Sequence, residues 1–223
     1  MDLPSAELAS PLPPHARVAA AAPDATVLAL DGRATDVGFL PDLARLRFLW
    51  VSRVSPSTAA VIGTLTRLER LVIHDYRAVD LRPLAKLANL ASLAIAGSPN
   101  LRSLDGLESL TALAELILFA NCNYDDLGPL GALQRLETLC LEGGFSKPLR
   151  VRSLAPLAQL GRLERLRLAS LRVADRSLTP LRGLGRLREV FIADTFPKGE
   201  MRALAAALPR AKGRWLDQYR SAV

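Results

Sequence analysis

Apolar residues recur along the chain at two alternating spacings, every second residue and every third residue. The two-residue spacing forms short apolar-x-apolar cores whose first members lie 21 to 27 positions apart. Eight such cores occur, at residues 28–30, 49–51, 71–73, 93–95, 116–118, 139–141, 166–168 and 190–192. Alternation at two residues is typical of a strand with one buried face, so each core predicts a short β-strand. A repeat of this length predicts stacked turns that each contribute one strand.

Between the cores, apolar residues recur every three positions, as at Leu81, Leu84, Leu87 and Leu90. Residues three apart lie above one another in a 3-10 helical turn. Pro-Leu pairs begin four of these stretches, at 83–84, 129–130, 156–157 and 180–181. Proline suits the start of a helical segment because the amide hydrogen that it lacks would have no partner there. We therefore expect each repeat to comprise a strand, a loop and a short helical segment, with stacked repeats burying the leucines.

The strand cores and Pro-Leu pairs resemble the leucine-rich-repeat superfamily, most closely its 22-residue, Sds22-like and internalin-like class. The resemblance covers about residues 25–208. It implies an α/β fold, a curved solenoid of about eight turns with a parallel β-sheet on its concave face and short helical or 3-10 segments on its convex face. One departure is that only Asn121 matches the family's asparagine, five residues after the first strand leucine. We therefore do not expect a regular asparagine ladder.

The chain divides into three parts. We predict an N-terminal tail or cap over residues 1–24, which contain five prolines, the repeat solenoid over 25–198, and a capping helix and tail over 199–223. The sixth repeat is the longest, and its extra residues fall at about 142–152. Insertions in repeat proteins form loops that often lie on the binding face. A tolerated surface loop is the alternative interpretation.

Composition limits the partners and the compartment. The 223 residues carry a formal net charge of +7, which favours an acidic protein, a nucleic acid or another acidic surface as partner. The two cysteines, Cys122 and Cys140, are expected to be free thiols. No apolar run is long enough to span a membrane, and the first residues lack a basic secretory region. We expect a cytoplasmic, monomeric protein, unless a leader sequence was removed.

No motif for catalysis, cofactor binding or metal binding is present in the sequence. The one candidate dyad, His74 with Cys140, fails because stacked strands about 4.8 Å apart place these residues on the order of 14 Å apart. His74 is expected to point into solvent. Cys140 is expected to be a surface cysteine, and a mildly activated thiol is the less favoured alternative. We therefore predict that the protein is not an enzyme and has no cofactor.

The binding site is predicted on the concave face, where the outward-pointing strand residues form three columns. We expect large apolar groups there, including Phe191, to be exposed as one contiguous patch, which is typical of an interaction site. The predicted partner-binding residues are Phe48, Trp50, Arg70, Val72, His74, Glu115, Ile117, Phe119, Cys140, Glu142, Phe145, Arg165 and Arg167. Further aromatic residues are expected along one edge of this face, at Tyr76, Tyr124 and Phe196.

The predicted function is a non-catalytic protein–protein interaction module, with a bacterial immunity or inhibitor protein as its more specific form. The alternative is binding of nucleic acid or an acidic surface through a column of arginines that precede the strands. These arginines are Arg45, Arg67, Arg135, Arg162 and Arg186. The column could bind phosphates, or it could be a solvated rim.

Overall fold

The computed structural model describes residues 24–30, 37–119, 123–144, 147–193 and 195–220. Within them, eight strands stack into one parallel sheet in the order β1-β2-β3-β4-β5-β6-β8-β10. The ten strands of the described residues are β1 (Val27–Leu30), β2 (Phe48–Val54), β3 (Arg70–Tyr76), β4 (Ser92–Ala96), β5 (Glu115–Phe119), β6 (Thr138–Glu142), β7 (Leu149–Val151), β8 (Arg165–Ala169), β9 (Leu171–Val173) and β10 (Glu189–Ile192). The predicted solenoid fold is confirmed. The proposed N-terminal tail, apart from Asp24, lies outside the described residues.

The strand register follows the leucine cores. Leu93 pairs with Leu71 on one side and Leu116 on the other, and Leu116 pairs with Leu139. All four side chains are fully buried in one continuous core. A buried leucine contributes roughly 1.5–3 kcal/mol relative to an exposed one, so the repeated stacking of these residues is the main source of stability. We call the residues that one turn contributes to the sheet a rung.

Short helical segments cover the opposite side of the core. The 3-10 segments are Leu40–Asp42, Arg82–Leu84, Leu107–Ser109, Gly128–Ala132, Ala155–Gln159 and Thr179–Leu181. The turn after β2 instead forms a true helix, α1 (Pro56–Ile62), whose N-cap Ser55 accepts a hydrogen bond from the Thr58 amide at 3.1 Å. Gly106 precedes one 3-10 segment with a φ of 99°, and a Cβ there would lie 2.5 Å from the Arg82 backbone nitrogen. The turn therefore requires glycine.

The predicted loop at 142–152 contains a short strand, β7, near its C-terminal end, so the expectation of a loop is only partly right. β7 pairs in parallel with β9 and forms a second, two-stranded sheet beside the main one. Leu149 and Val151 are buried in the core, whereas Arg150 and its partner Arg172 are exposed. The extra residues add apolar side chains at alternate positions, and burying them stabilises a strand rather than a free loop.

Two helices follow the last strand, α2 (Lys198–Ala207) and α3 (Arg214–Arg220). Between them, the Lys212 amide donates to the Arg188 carbonyl at 2.6 Å, and the Lys212 carbonyl accepts from the Val190 amide at 2.8 Å. These bonds add a partial ninth rung to the solenoid. None of the helices in the described residues combines the length and apolar character needed to cross a bilayer.

Glu200 attaches α2 to the preceding turn. Its carboxylate accepts hydrogen bonds from the Leu178 amide at 2.6 Å and from the Arg182 guanidinium at 2.7 Å. The bond from the Leu178 amide is the main reason that the pKa of Glu200 is lowered, and Arg182 also lowers it. The face of α2 that carries Met201 and Leu204 is buried against the core.

Candidate functional site

The concave face is formed by the outward-pointing residues of the main sheet. Its most unusual feature is a second hydrophobic cluster, separate from the leucine core on the other side of the sheet. We call this cluster the apolar strip, and it comprises Phe48, Trp50, Val72, Ala94, Ile117 and Cys140. It crosses five consecutive strands, β2 to β6, because the register aligns one apolar residue from each strand.

The expectation that large apolar groups are exposed on this face is wrong for Ile117 and holds only in part for the aromatic rings. Ile117 is only 3% exposed, and Phe48, Trp50, Phe119 and Phe191 are half-buried. Side chains on neighbouring rungs start only about 4.8 Å apart, so they cover one another. The concave face is therefore a packed apolar surface with partly exposed aromatic rings, not a set of isolated exposed side chains.

Aromatic and cationic side chains are stacked at the N-terminal end of the strip. The rings of Trp50 and His74 lie 5.0 Å apart between centroids. The Arg70 guanidinium lies 5.4 Å from the centroid of the Phe48 ring. His74 is half-buried rather than fully solvated, which corrects the sequence prediction, and burial lowers its pKa. Its Nε2 atom is shielded from solvent and has no hydrogen-bond partner within the described residues.

The C-terminal end of the concave face is polar. Arg167 donates to Glu142 at 2.9 Å and lies 4.3 Å from the centroid of the Phe191 ring. Arg165 donates to the buried Thr138 hydroxyl at 2.9 Å. Each of these contacts joins neighbouring rungs and holds the charged side chains in position. Arg167 and Glu142 are half-buried, whereas Arg165 is exposed.

Glu115 lies near the middle of the face, where the Ser92 hydroxyl donates to its carboxylate at 2.6 Å. Phe119, four residues further along the same strand, is half-buried beside Glu142 in the register. Predicted residues from β2 to β8 thus share one surface. Phe145, the remaining predicted site residue, lies outside the described residues, as do Asn121 and Cys122.

Cys140 is buried, so the expectation of a surface cysteine is wrong. It packs between Ile117 and Arg167 on the adjacent rungs. Burial raises the pKa of its thiol to about 12, with Glu142 adding to the rise and Arg167 opposing it. A thiol in this environment stays protonated at neutral pH, which also argues against the activated thiol.

The aromatic residues expected along the edge of the face do not contribute to it. Tyr76, Tyr124 and Phe196 are buried in the leucine core. The Tyr76 hydroxyl donates to the Asp80 carbonyl at 2.8 Å, and burial raises its pKa. Tyr76 is the last residue of β3, and Tyr124 and Phe196 follow β5 and β10, so their buried rings stabilise the turns that leave the sheet.

The arginines that precede the strands lie along the edge where the strands begin, which we call the amino edge. Their column is interrupted, because Asn89 and Ala112 occupy the same turn position on two middle rungs. Near the N-terminus the side chains contact the neighbouring turn, as Arg67 does by donating to the Ala44 carbonyl at 3.1 Å. The arginines therefore do not form one continuous basic stripe, so the phosphate-binding alternative lacks that support.

Sequence reasoning missed further members of the amino edge, among them Arg210 and Lys212. Arg210 occupies the same position in its turn as Arg186, and Lys212 pairs with the last rung beside Arg188. The signal was present: the spacing of Leu208, Arg210 and Lys212 repeats the spacing of 184, 186 and 188. It was overlooked because this stretch lies between two helices and lacks an apolar-x-apolar core.

No catalytic arrangement is evident in the described residues. They contain no group of three or more His, Cys, Asp and Glu side chains that could hold a metal ion. His74 and Cys140 lie on β3 and β6, three rungs apart, so they cannot share a proton directly.

Comparison with known proteins gives structural matches only, since no family model and no curated protein sequence matches the chain. An internalin (InlF) of Listeria monocytogenes matches with a TM-score of 0.58 at 19% identity, over 80% of this chain and 63% of that chain. Internalin C2 of the same bacterium matches with a TM-score of 0.57 at 26% identity, over 69% of this chain and 64% of that chain. This chain thus spans slightly less than two thirds of either internalin.

A more distant match is the Arabidopsis receptor kinase HAESA, solved in complex with the peptide hormone IDA and the co-receptor SERK1. Its TM-score is 0.54 at 19% identity, over 73% of this chain and 28% of that chain. Together with the parallel sheet and the convex 3-10 segments, these matches confirm the predicted resemblance to the leucine-rich-repeat superfamily and to its internalin-like class.

Proposed function

We propose that this leucine-rich-repeat chain is a non-catalytic recognition module that binds a partner protein on its concave face. The observation that carries the proposal is the apolar strip, which lies on the solvent side of the sheet and apart from the leucine core. A sheet face that met only water would be better solvated by polar side chains than by Phe48, Trp50 and Ile117. Apolar surface in this position is typical of interaction sites, and tryptophan is enriched among residues that dominate binding energy.

The packing of the concave face also favours binding, because its side chains are ordered before a partner arrives. Trp50 is held against His74, and Arg167 is held between Glu142 and Phe191. Ordering a flexible side chain at an interface costs roughly 0.5–1.5 kcal/mol. A partner that docks on this face avoids much of that cost for these residues.

The complex of HAESA with a peptide hormone and a co-receptor supports a protein partner for a chain of this fold. A more specific form of the proposal is an inhibitor or immunity protein of the bacterial cytoplasm that blocks a surface of its partner. A broad, preformed face suits such blocking better than it suits a small ligand, for which enclosed pockets are the rule.

Site-specific photo-crosslinking tests the proposal. A photo-reactive amino acid at Ser52, beside His74 on the concave face, should crosslink to a partner protein in native-host extract. The matched control carries the same amino acid at Ala158, an exposed residue of the convex 3-10 segment. We expect the Ser52 crosslink to disappear in a Trp50→Ala background and to be absent from Ala158. Equal crosslinking of one protein from both positions, or persistence without Trp50, would contradict concave-face binding.

A further inference from the structure

Positive charge is concentrated in the last turns of the solenoid. Residues 161–223 contain 14 Lys and Arg against 6 Asp and Glu, whereas residues 1–160 contain 15 against 16. The final third of the chain therefore accounts for the entire net positive charge, and the rest is nearly neutral. Composition alone does not place this charge on a surface, so the position of each cation decides what it can bind.

Five of these cations lie together along the amino edge of the last three rungs. We call this group the basic edge, and it consists of Arg162, Arg186, Arg188, Arg210 and Lys212. All five are exposed, and within the described part of the chain none forms an ion pair or a side-chain hydrogen bond. The acidic residues beside them are Glu164 and Glu189, on the neighbouring strand positions.

The cations of the basic edge form two adjacent columns. Arg162, Arg186 and Arg210 occupy the same turn position on consecutive rungs, while Arg188 and Lys212 are neighbours two residues further along. Rungs repeat about every 4.8 Å, so like charges are held close together, and the two neighbouring carboxylates offset only part of the positive charge. An anionic partner would relieve this repulsion, and the edge continues directly into the concave face beyond it.

We propose that the basic edge binds an acidic segment of the same protein partner whose apolar surface docks on the concave face. This inference rests on the proposed function and specifies the chemistry of the partner. Carboxylates at alternate positions of an extended segment lie roughly 6.7 Å apart, which flexible arginines on successive rungs can match. Arginine binds a carboxylate through two parallel hydrogen bonds, which adds geometric specificity.

A nucleic acid fits this surface less well than an acidic protein segment. The basic edge spans only three rungs, or about 10 Å between the first and the last. Binding of single strands depends on aromatic side chains that stack on the bases. None of the five residues of the basic edge is aromatic, and Trp215, which follows Lys212 in the chain, is half-buried with the Arg214 guanidinium 5.5 Å from its ring centroid.

The test uses a fluorescent peptide of about ten glutamates and measures its binding to the full chain by anisotropy at low and at physiological salt. The variant Arg186→Glu/Arg210→Glu reverses the charge of two of the five residues of the basic edge. The matched control, Arg150→Glu/Arg172→Glu, changes the net charge equally at exposed positions of β7 and β9, on the opposite flank. We expect at least a tenfold loss of affinity in the first variant and less than a threefold loss in the control.

Equal losses in both variants would show a response to net charge alone and would overturn the proposal, as would failure of the wild type to bind the peptide. Tighter binding of a short DNA duplex or of phosphatidylserine vesicles, lost in Arg186→Glu/Arg210→Glu, would assign the edge to that partner instead. Because the peptide is assayed without the partner, failure here is separate from failure of the crosslinking test at Ser52.

Discussion

The indole of Trp50 and the imidazole of His74 stack across two neighbouring strands, with ring centroids 5.0 Å apart and planes inclined by 37°. This contact contributes to the partial burial of His74, and burial lowers its pKa below the usual 6.5. The neutral ring is thus the favoured form in the folded protein. The concave face contains a titratable group whose ionisation reports directly on the packing of the strip.

The first prediction follows from that shift. In NMR titration, His74 should ionise below pH 6.5, and its resonance should be identified by its loss in His74→Gln. Because the folded pKa is the lower one, the unfolded chain takes up more protons, so the contribution of His74 to stability is complete above pH 6.5 and declines as the pH falls. Trp50→Ala should move the midpoint back toward 6.5. A midpoint unaffected by Trp50→Ala would show that the stacking does not shield the imidazole.

A second prediction concerns the leucine core. Leu116 is fully buried at the centre of the sheet, so Leu116→Ala should lower the free energy of unfolding by about 2–5 kcal/mol through lost burial and the cavity left behind. Denaturant unfolding measures the change. Thr111→Ala, at an exposed turn position in the same repeat, should change stability by no more than about 0.5 kcal/mol. Similar effects of the two substitutions would be inconsistent with this register.

The strand cores could be predicted from sequence because burial requires a leucine at the same two positions on every rung. Leu71, Leu93 and Leu116 fall in register as that rule demands. The surroundings of the outward residues could not be predicted in the same way. Exposure of Ile117 and Cys140 depends on which side chains stand on the adjacent rungs, and that information is spread over distant parts of the chain.

The sixth repeat shows a related limit. The length of the sixth repeat indicated an insertion. The strand that contains Leu149 and Val151, however, forms by pairing with residues 171–173 one turn later. Within the residues that the structure describes, only the repeats of β6 and β8 have a second strand of this kind, so periodicity could not indicate it. The predicted site residues do meet on one face, because the strand register that aligns them is the same register that aligns the core.

The third prediction tests how the extra strand is attached. A Cβ on Gly143 would lie 2.2 Å from the Ser170 carbonyl oxygen and 2.4 Å from the Leu149 nitrogen, both backbone atoms. Gly143→Ala should therefore separate the main sheet from β7 and destabilise the fold by roughly 1–3 kcal/mol. Gly161→Ala is the matched control, because nothing lies within 4 Å of its added methyl group. Thermal unfolding of both variants measures the difference, and equal melting temperatures would disprove the close approach.

The fourth prediction concerns the reactivity of Cys140. Since its pKa is raised to about 12 and its side chain is buried, the native thiol should react with iodoacetamide far more slowly than an ordinary cysteine at pH 8. A Cys122→Ser background leaves Cys140 as the sole thiol for mass spectrometry. Denaturant should restore ordinary reactivity. Rapid labelling of the native protein would mean that the strip opens readily to solvent.

The fifth prediction addresses affinity for the partner once crosslinking has identified it. An aromatic anchor in a packed interface is worth about 2 kcal/mol or more, so Trp50→Ala should weaken binding about thirtyfold or more in a calorimetric titration. Trp50 also packs on Val72 and His74, so the variant should lose some stability, and affinity must be measured well below its melting temperature. Arg45→Ala, at an exposed turn on the amino edge, provides the control and should change affinity less than threefold, because rim charges contribute little. If Arg45→Ala weakened binding as much as Trp50→Ala did, the apolar strip would not be the centre of the interface. The concave-face proposal would then have to be abandoned in favour of binding along the arginine column.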